Sequence, residues 1–342
     1  VITAYILHCH HDQYDAQAWH DRIQRIQELR PDRIICYCAQ EMEWNLIYNH
    51  AINLLTTWLV DQDCHMYIIN PHTDADITSH IHGVLCYGFL LPFAMDHECN
   101  SKLSVSSNGI PDLLYTCYVN NPRVERAMII DALVSNQLLP QGMVTCRYPE
   151  QMQWTHHDGS RLIDEPDYTI SATPSYSPTA YPRSFFRGWI DIVCESHVAP
   201  GMFFVSEKTL KSIWACKPFL ALAPQGFFSD HLQPVYGLEP YTELFDYAFD
   251  SHSNIRDRVN GIVDNLLRLS KLTDQERRAL AASLSPKLER NKWRMLELFR
   301  NPAKMIPECL KFVIDDSEHE LLGDNCELIT YATHYAAIKG LT

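Results

Sequence analysis

The sequence lacks the motifs by which several large enzyme classes are usually recognised. No P-loop occurs, no Gly-x-Gly-x-x-Gly follows the first strand-like run, and there is no His-Glu-x-x-His. These absences weaken the kinase, dehydrogenase and zincin readings. No stretch reaches the ~20 apolar residues of a membrane helix, and the apolar run from Val1 to His8 is far too short for a secretory signal. Positive charge is scarce. With 28 Lys and Arg against 42 Asp and Glu the formal charge is −14, which argues against a broad phosphate-neutralising surface. Local clusters remain at Arg22, Arg25, Arg30 and Arg33, and at Arg290, Lys292 and Arg294.

What is present is an ordinary globular composition. Hydrophobic residues make up 46% and charged residues 20% of 342, enough for two cores of ordinary size. Twelve cysteines do not make a disulfide framework here. Cys36, Cys38, Cys64, Cys86, Cys117, Cys194 and Cys216 lie in apolar runs, where a thiol acts as a small hydrophobe. Cys36 and Cys38 form Cys-x-Cys, not the redox spacing Cys-x-x-Cys. The expectation is a reduced, soluble, cytoplasmic protein (host cytoplasm if the source is viral).

Along the chain, strand and helix patterns alternate. ITAYILHCH and DRIICYCAQ read as strands around the helix AQAWHDRIQRIQEL, in which Trp19, Ile23, Ile26 and Leu29 share a face. A helix over 44–60, a strand HMYIIN and a strand HGVLCYGFLL follow. SKLSVSSNG, 101 to 109, is a polar break and reads as a linker. Beyond it, LLYTCYV predicts a strand, VERAMIIDALVSNQLL a helix and RGWIDIVCES a buried strand. YTELFDYAFD and 255–272 read as helical, TDQERRALAASL as a capped helix, and the pattern resumes after Pro286. Repeated strand–helix units predict an α/β chain with parallel sheets. The expected division is 1–105, 106–310 and a tail, 311–342, that no pattern places.

The most informative segment is FVSEKTLKSIWACKPFLALAP, Phe204 to Pro224. It reads as a strand, a polar helix start, an apolar helix body and a strand entered through Pro218. A helix N-terminus carries unpaired N–H groups and partial positive charge, so it suits phosphate. Lys208 and Lys211 suit a diphosphate, Glu207 suits the two hydroxyls of a ribose, and Thr209 lies beside them. On spacing alone, Glu207 and Lys208 also fit an ordinary capped helix start with exposed charges.

A second segment, TCYVNNPRVERAMIIDAL, runs from a strand through Asn120 and Arg123 to Arg126 on a helix's first turn. The pair of segments, with SPKLERN at 285–291, resembles the nucleotide-sugar half of α-1,3-fucosyltransferase-like enzymes and of phage and virus glycosyltransferase-like proteins. The resemblance covers roughly 115–300. It implies a GT-B arrangement, two Rossmann-like domains facing across a cleft, with a UDP- or GDP-sugar held by the C-terminal one and no metal required. It further implies that Arg126 and Lys208 bind the diphosphate, Glu207 the ribose, and that Glu195 lies near the sugar or base. The chain departs from that pattern at Glu125, where His is usual, and at Ser212, where Pro follows Lys. An acid at 125 is unfavourable beside a diphosphate unless it faces away.

The expected function is transfer of a sugar to a hydroxyl acceptor, either a glycan or a hydroxymethylated DNA base, with no membrane partner. The alternatives are a non-catalytic nucleotide- or glycan-binding relative and a plain scaffold. Asp12, His11, Glu41 and Glu43 end the first two strands and are the candidates for a general base. His8 and His10 could share a metal, but no matching Cys or His pair follows at recognisable spacing. Trp154 and Tyr176, in the long irregular stretch 150–184, are candidates for stacking on a sugar or base.

Overall fold

The computed structural model describes residues 1–8, 16–37, 53–70, 76–85, 111–119, 123–146, 183–195, 198–199, 205–300, 308–315, 318–324 and 332–333. In chain order the first elements are β1 (Ile2–His8), α1 (Ala16–Leu29), β2 (Arg33–Tyr37), α2 (Asn53–Gln62), β3 (His65–Asn70), β4 (Asp76–Thr78) and β5 (Ile81–Leu85). They are followed by β6 (Leu113–Val119), α3 (Val124–Ser135), β7 (Gly142–Cys146), β8 (Gly188–Cys194), α4 (Glu207–Trp214) and β9 (Phe219–Leu222). The last are α5 (Ile255–Leu269), α6 (Asp274–Arg300) and β10 (His319–Gly323). The protein is α/β with parallel sheets, as the alternating pattern predicts. It forms two compact units, Val1–Pro92 with Leu298–Thr342, and Phe93–Glu297.

The first unit is a six-stranded sheet in the order β10-β1-β2-β3-β5-β4, parallel except for the short β4. Strands buried on both faces need apolar residues at successive positions; Ala4, Tyr5, Ile6 and Leu7 are all buried. Tyr5, Leu7, Ile34, Cys36, Met66 and Ile68 meet Trp19, Ile23 and Ile26 of α1 and Leu55 and Leu59 of α2 in one core. The tail that no sequence pattern places supplies β10, which runs parallel to β1 from Ile2↔His319 to Ile6↔Gly323. Arg22 reinforces it with an ion pair to Asp324 at 3.3 Å.

The second unit is a four-stranded parallel sheet in the order β7-β6-β8-β9. β8, GWIDIVC, is buried at every position. It starts at a glycine because a Cβ at Gly188 would stand 2.6 Å from the Tyr115 carbonyl carbon of β6. α3 packs on α5, and its buried face is Arg126, Ile129, Ile130 and Leu133.

Three local expectations change. α3 ends at Ser135, not Leu139, because Gln137 takes a left-handed φ of 56°. Gln137 N–H then bonds Val134 O and Leu138 N–H bonds Leu133 O, a Schellman stop. YTELFDYAFD is turns and a 3-10 segment, Ala248–Ser251, not an α-helix. Its backbone is held from outside instead: Asn265 Oδ1 accepts Asp246 N–H and its amide donates to Asp246 O. Within the segment, the Tyr247 hydroxyl accepts Tyr241 N–H. Finally, α6 runs unbroken through Pro286. It opens with a capping box in which Glu276 accepts Thr273 N–H at 2.8 Å and Thr273 Oγ1 accepts Glu276 N–H. Among the described residues no helix is long and apolar enough to cross a membrane.

Candidate functional site

The strand order of the second sheet contains a reversal of winding. β6 crosses through α3 to β7 on one side, whereas β8 crosses through α4 to β9 on the other. Right-handed crossovers in opposite directions put α3 and α4 on opposite faces. Open α/β sheets bind ligands at such a switch point, beyond the carboxyl ends of the strands. Here that point lies between β6 and β8. The residues leaving the two strands there are Arg123 and the first turn of α3, and Glu195 and the start of α4.

The start of α4 is tightly built. Ser206 is its N-cap, with Oγ accepting Lys208 N–H at 3.2 Å. The N–H of Ser206 itself is taken by Glu195, at 3.2 and 3.3 Å to the two carboxylate oxygens. The Thr209 hydroxyl donates to the same carboxylate. Glu195 is 2% exposed, so this carboxylate serves the chain and not the solvent. Burial pushes its pKa up, opposed by the nearby Lys208 and by the bonds from Ser206 and Thr209. Lys208 Nζ pairs with Glu207 Oε1 at 2.8 Å and donates to Ser206 Oγ at 3.4 Å. Lys211, one turn on, has its pKa lowered chiefly by burial, with Glu207 acting against that.

Beneath this turn is a polar network that sequence reasoning missed. Asp191, in the middle of β8, accepts the Thr116 hydroxyl at 2.7 Å and the Ser212 hydroxyl at 2.7 Å. Lys217 Nζ donates to Thr116 Oγ1 at 2.6 Å and to Phe185 O at 2.5 Å, and lies 4.1 Å from the centre of the Phe185 ring. Burial lowers the Lys217 pKa to about 8. The network ties β6, β8 and α4 together under the switch point. Ser212 is thus a structural contact to Asp191. The visible signals were an Asp inside the apolar run WIDIV and a Lys directly before Pro218.

Arg126 is buried at 5% exposure, on the core face of α3 and not on its surface. Arg123 is half-buried just ahead of that helix, and Glu125 is half-buried in its first turn. Four members of the two basic clusters, Arg22, Arg33, Arg290 and Arg294, are engaged within the protein. Arg290 and Arg294 both pair with Glu239, at 2.9 and 2.7 Å. Arg33 donates to Cys309 O at 3.2 Å and stacks on Phe312. The base candidates Asp12, His11, Glu41 and Glu43, together with His10, Asn120, Trp154 and Tyr176, lie outside the described residues, as does the side chain of His8.

No family model, curated protein or solved structure matches the chain. The site therefore stands on its own geometry: an acid-braced helix start and a buried arginine, on adjacent parallel strands at a switch point.

Proposed function

We propose that the second unit binds a nucleoside-diphosphate sugar at the β6/β8 switch point, and that the protein is a glycosyltransferase of the GT-B type. The observation that carries this reading is the pair of helix starts flanking that point, each bearing cationic side chains. Lys208 and Arg126 hold the diphosphate, with Lys211 and Arg123 adding positive charge. The Glu207–Lys208 pair separates when the donor arrives: Lys208 exchanges a carboxylate for phosphate, and Glu207 accepts the ribose hydroxyls. Glu195 and Thr209 hold the turn from below; for Glu195 this positioning role takes the place of the position near the sugar or base that the resemblance implies.

In the transfer step the acceptor oxygen attacks the anomeric carbon, a general base takes the hydroxyl proton, and the nucleoside diphosphate leaves. Cations and helix N-termini stabilise the charge growing on that leaving group. Of the two acceptor classes, a glycan hydroxyl is favoured over a hydroxymethylated DNA base. The net charge is −14, and Arg22, Arg290 and Arg294 are held in ion pairs within the protein, which leaves less positive charge for a duplex backbone.

The test is release of nucleoside diphosphate from UDP- and GDP-sugars with mixed glycan acceptors and, separately, with hydroxymethylated DNA. The expected result is acceptor-dependent release that Lys208→Ala abolishes. Tight nucleotide binding without release from any donor would replace the enzyme with a non-catalytic nucleotide-binding relative. Glu125, an acid in the first turn of α3, is the feature that favours that second reading.

A further inference from the structure

Three histidines converge at the amino ends of β3 and β5, the opposite edge from the one where α/β sheets bind substrates. The parallel register Met66↔Ile81 and Tyr67↔His82 brings His65 beside His80, and residues two apart on a strand share a face. The sequence pattern is Asp63-x-His65 followed by His80-x-His82. The His65 ring stacks on His80 at 4.9 Å and on His82 at 5.2 Å between centroids, close to the spacing of neighbouring strands.

Asp63 is delivered to the same place by the stop of α2. It takes a left-handed φ of 52°, its N–H bonds Val60 O, and Cys64 N–H bonds Leu59 O, so the chain turns sharply into β3. Its Oδ1 ends 3.3 Å from His80 Nε2. One donor atom from each of Asp63, His65 and His80 lies within 4.8 Å of the others.

We propose that Asp63, His65 and His80 bind a divalent transition-metal ion. Two imidazoles and one carboxylate are the ligand chemistry of Zn²⁺, with water completing a tetrahedron. The surrounding bonds fit a second shell that orients the ligands. Ser79 Oγ lies 2.9 Å from His80 Nδ1, leaving Nε2 to face Asp63. His82 Nε2 lies 2.9 Å from His65 Nδ1 and fixes that ring. Asp63 is 91% exposed and opens the site to solvent, while His80 at 17% lies deeper. The ion joins the end of α2 to the starts of β3 and β5. It lies in the first unit, independent of the nucleotide reading.

The experiment is titration of the full chain, stripped with EDTA, with Co²⁺ and then Zn²⁺. Visible d–d absorption and thermal unfolding are followed for wild type, Asp63→Asn, His80→Asn and the exposed control His252→Asn. Asn tolerates the left-handed conformation of residue 63, so Asp63→Asn keeps the turn. The expected result is a tetrahedral Co²⁺ spectrum saturating at one ion per chain, displaced by Zn²⁺, and a rise in Tm. Affinity should fall at least about tenfold in Asp63→Asn and His80→Asn and stay unchanged in His252→Asn. If His80→Asn does not fold, Asp63→Asn decides alone. The absence of a saturable spectrum, or binding equal in wild type and Asp63→Asn, overturns the proposal.

Discussion

The carboxylate of Glu195 accepts the backbone N–H of Ser206 at 3.2 and 3.3 Å, eleven residues along the chain. In a capping box the residue three positions into the helix supplies that acid. Here that position is Thr209, which donates to Glu195 instead, so the brace comes from the end of β8. The start of α4 is thereby fixed to the sheet edge at the switch point.

Replacing that brace has two distinct outcomes. Glu195→Ala leaves the Ser206 N–H buried without its acceptor and should cost about 1–3 kcal/mol in urea unfolding at pH 7. Glu195→Gln keeps an acceptor for both donors and removes a carboxylate whose pKa burial raises. A raised folded-state pKa means that stability falls as pH climbs from the ordinary carboxylate value through the folded one. Glu195→Gln should therefore stay within about 1 kcal/mol of wild type at pH 7 and lose that decline. Equal destabilisation by both substitutions would contradict the brace.

Lys217 predicts an alkaline signature. Its pKa is about 8 in the fold against an ordinary 10.5, so between those values the unfolded chain holds the extra proton and stability rises with pH. The rise attributable to this group is of order 3 kcal/mol. Stability measured from pH 7.5 to 10.5 should show it in wild type and not in Lys217→Met. Parallel profiles for the two proteins would exclude a buried, depressed lysine.

His231 predicts the matching acid signature. It is 2% exposed, and burial lowers its pKa to about 4 from 6.5. Below pH 6.5 the unfolded state takes the proton and the folded state does not, so stability falls as pH drops toward 4, by about 3 kcal/mol. His231→Phe, packed against Phe227 and Tyr236, should flatten that arm of the urea-unfolding profile. An unchanged slope would assign the acid sensitivity elsewhere.

Legibility in the sequence followed the range of the forces involved. The apolar run of β8 and the helix starting at Glu207 are local patterns, and they read correctly. YTELFDYAFD carries apolar residues at helical spacing, yet Asn265 and Arg268 satisfy its backbone from outside, which no window along the chain can show. HELLG is too short and mixed to place until β1 offers it an edge. The Asp191–Lys217 network and the histidine row depend on which strands are neighbours and in what register. Arg126, readable as a surface charge, is buried because its helix turns that face onto the core.

Arg126→Met separates packing from charge. The methionine keeps an apolar stem in the buried position, so the fold should hold by circular dichroism. Affinity for a nucleoside diphosphate should fall about tenfold or more, as expected when a charged hydrogen bond of about 1.5–3 kcal/mol is lost. Unaltered affinity would remove Arg126 from the site.

The most direct test is a thermal-shift series with UDP, GDP, CDP and ADP and their sugar conjugates, on wild type and Lys208→Ala. Ligand at a hundredfold excess over Kd adds about 2.7 kcal/mol. The account predicts a rise of several degrees with one base, lost in Lys208→Ala. No shift with any of the nucleotides, or a shift that survives the substitution, would contradict it.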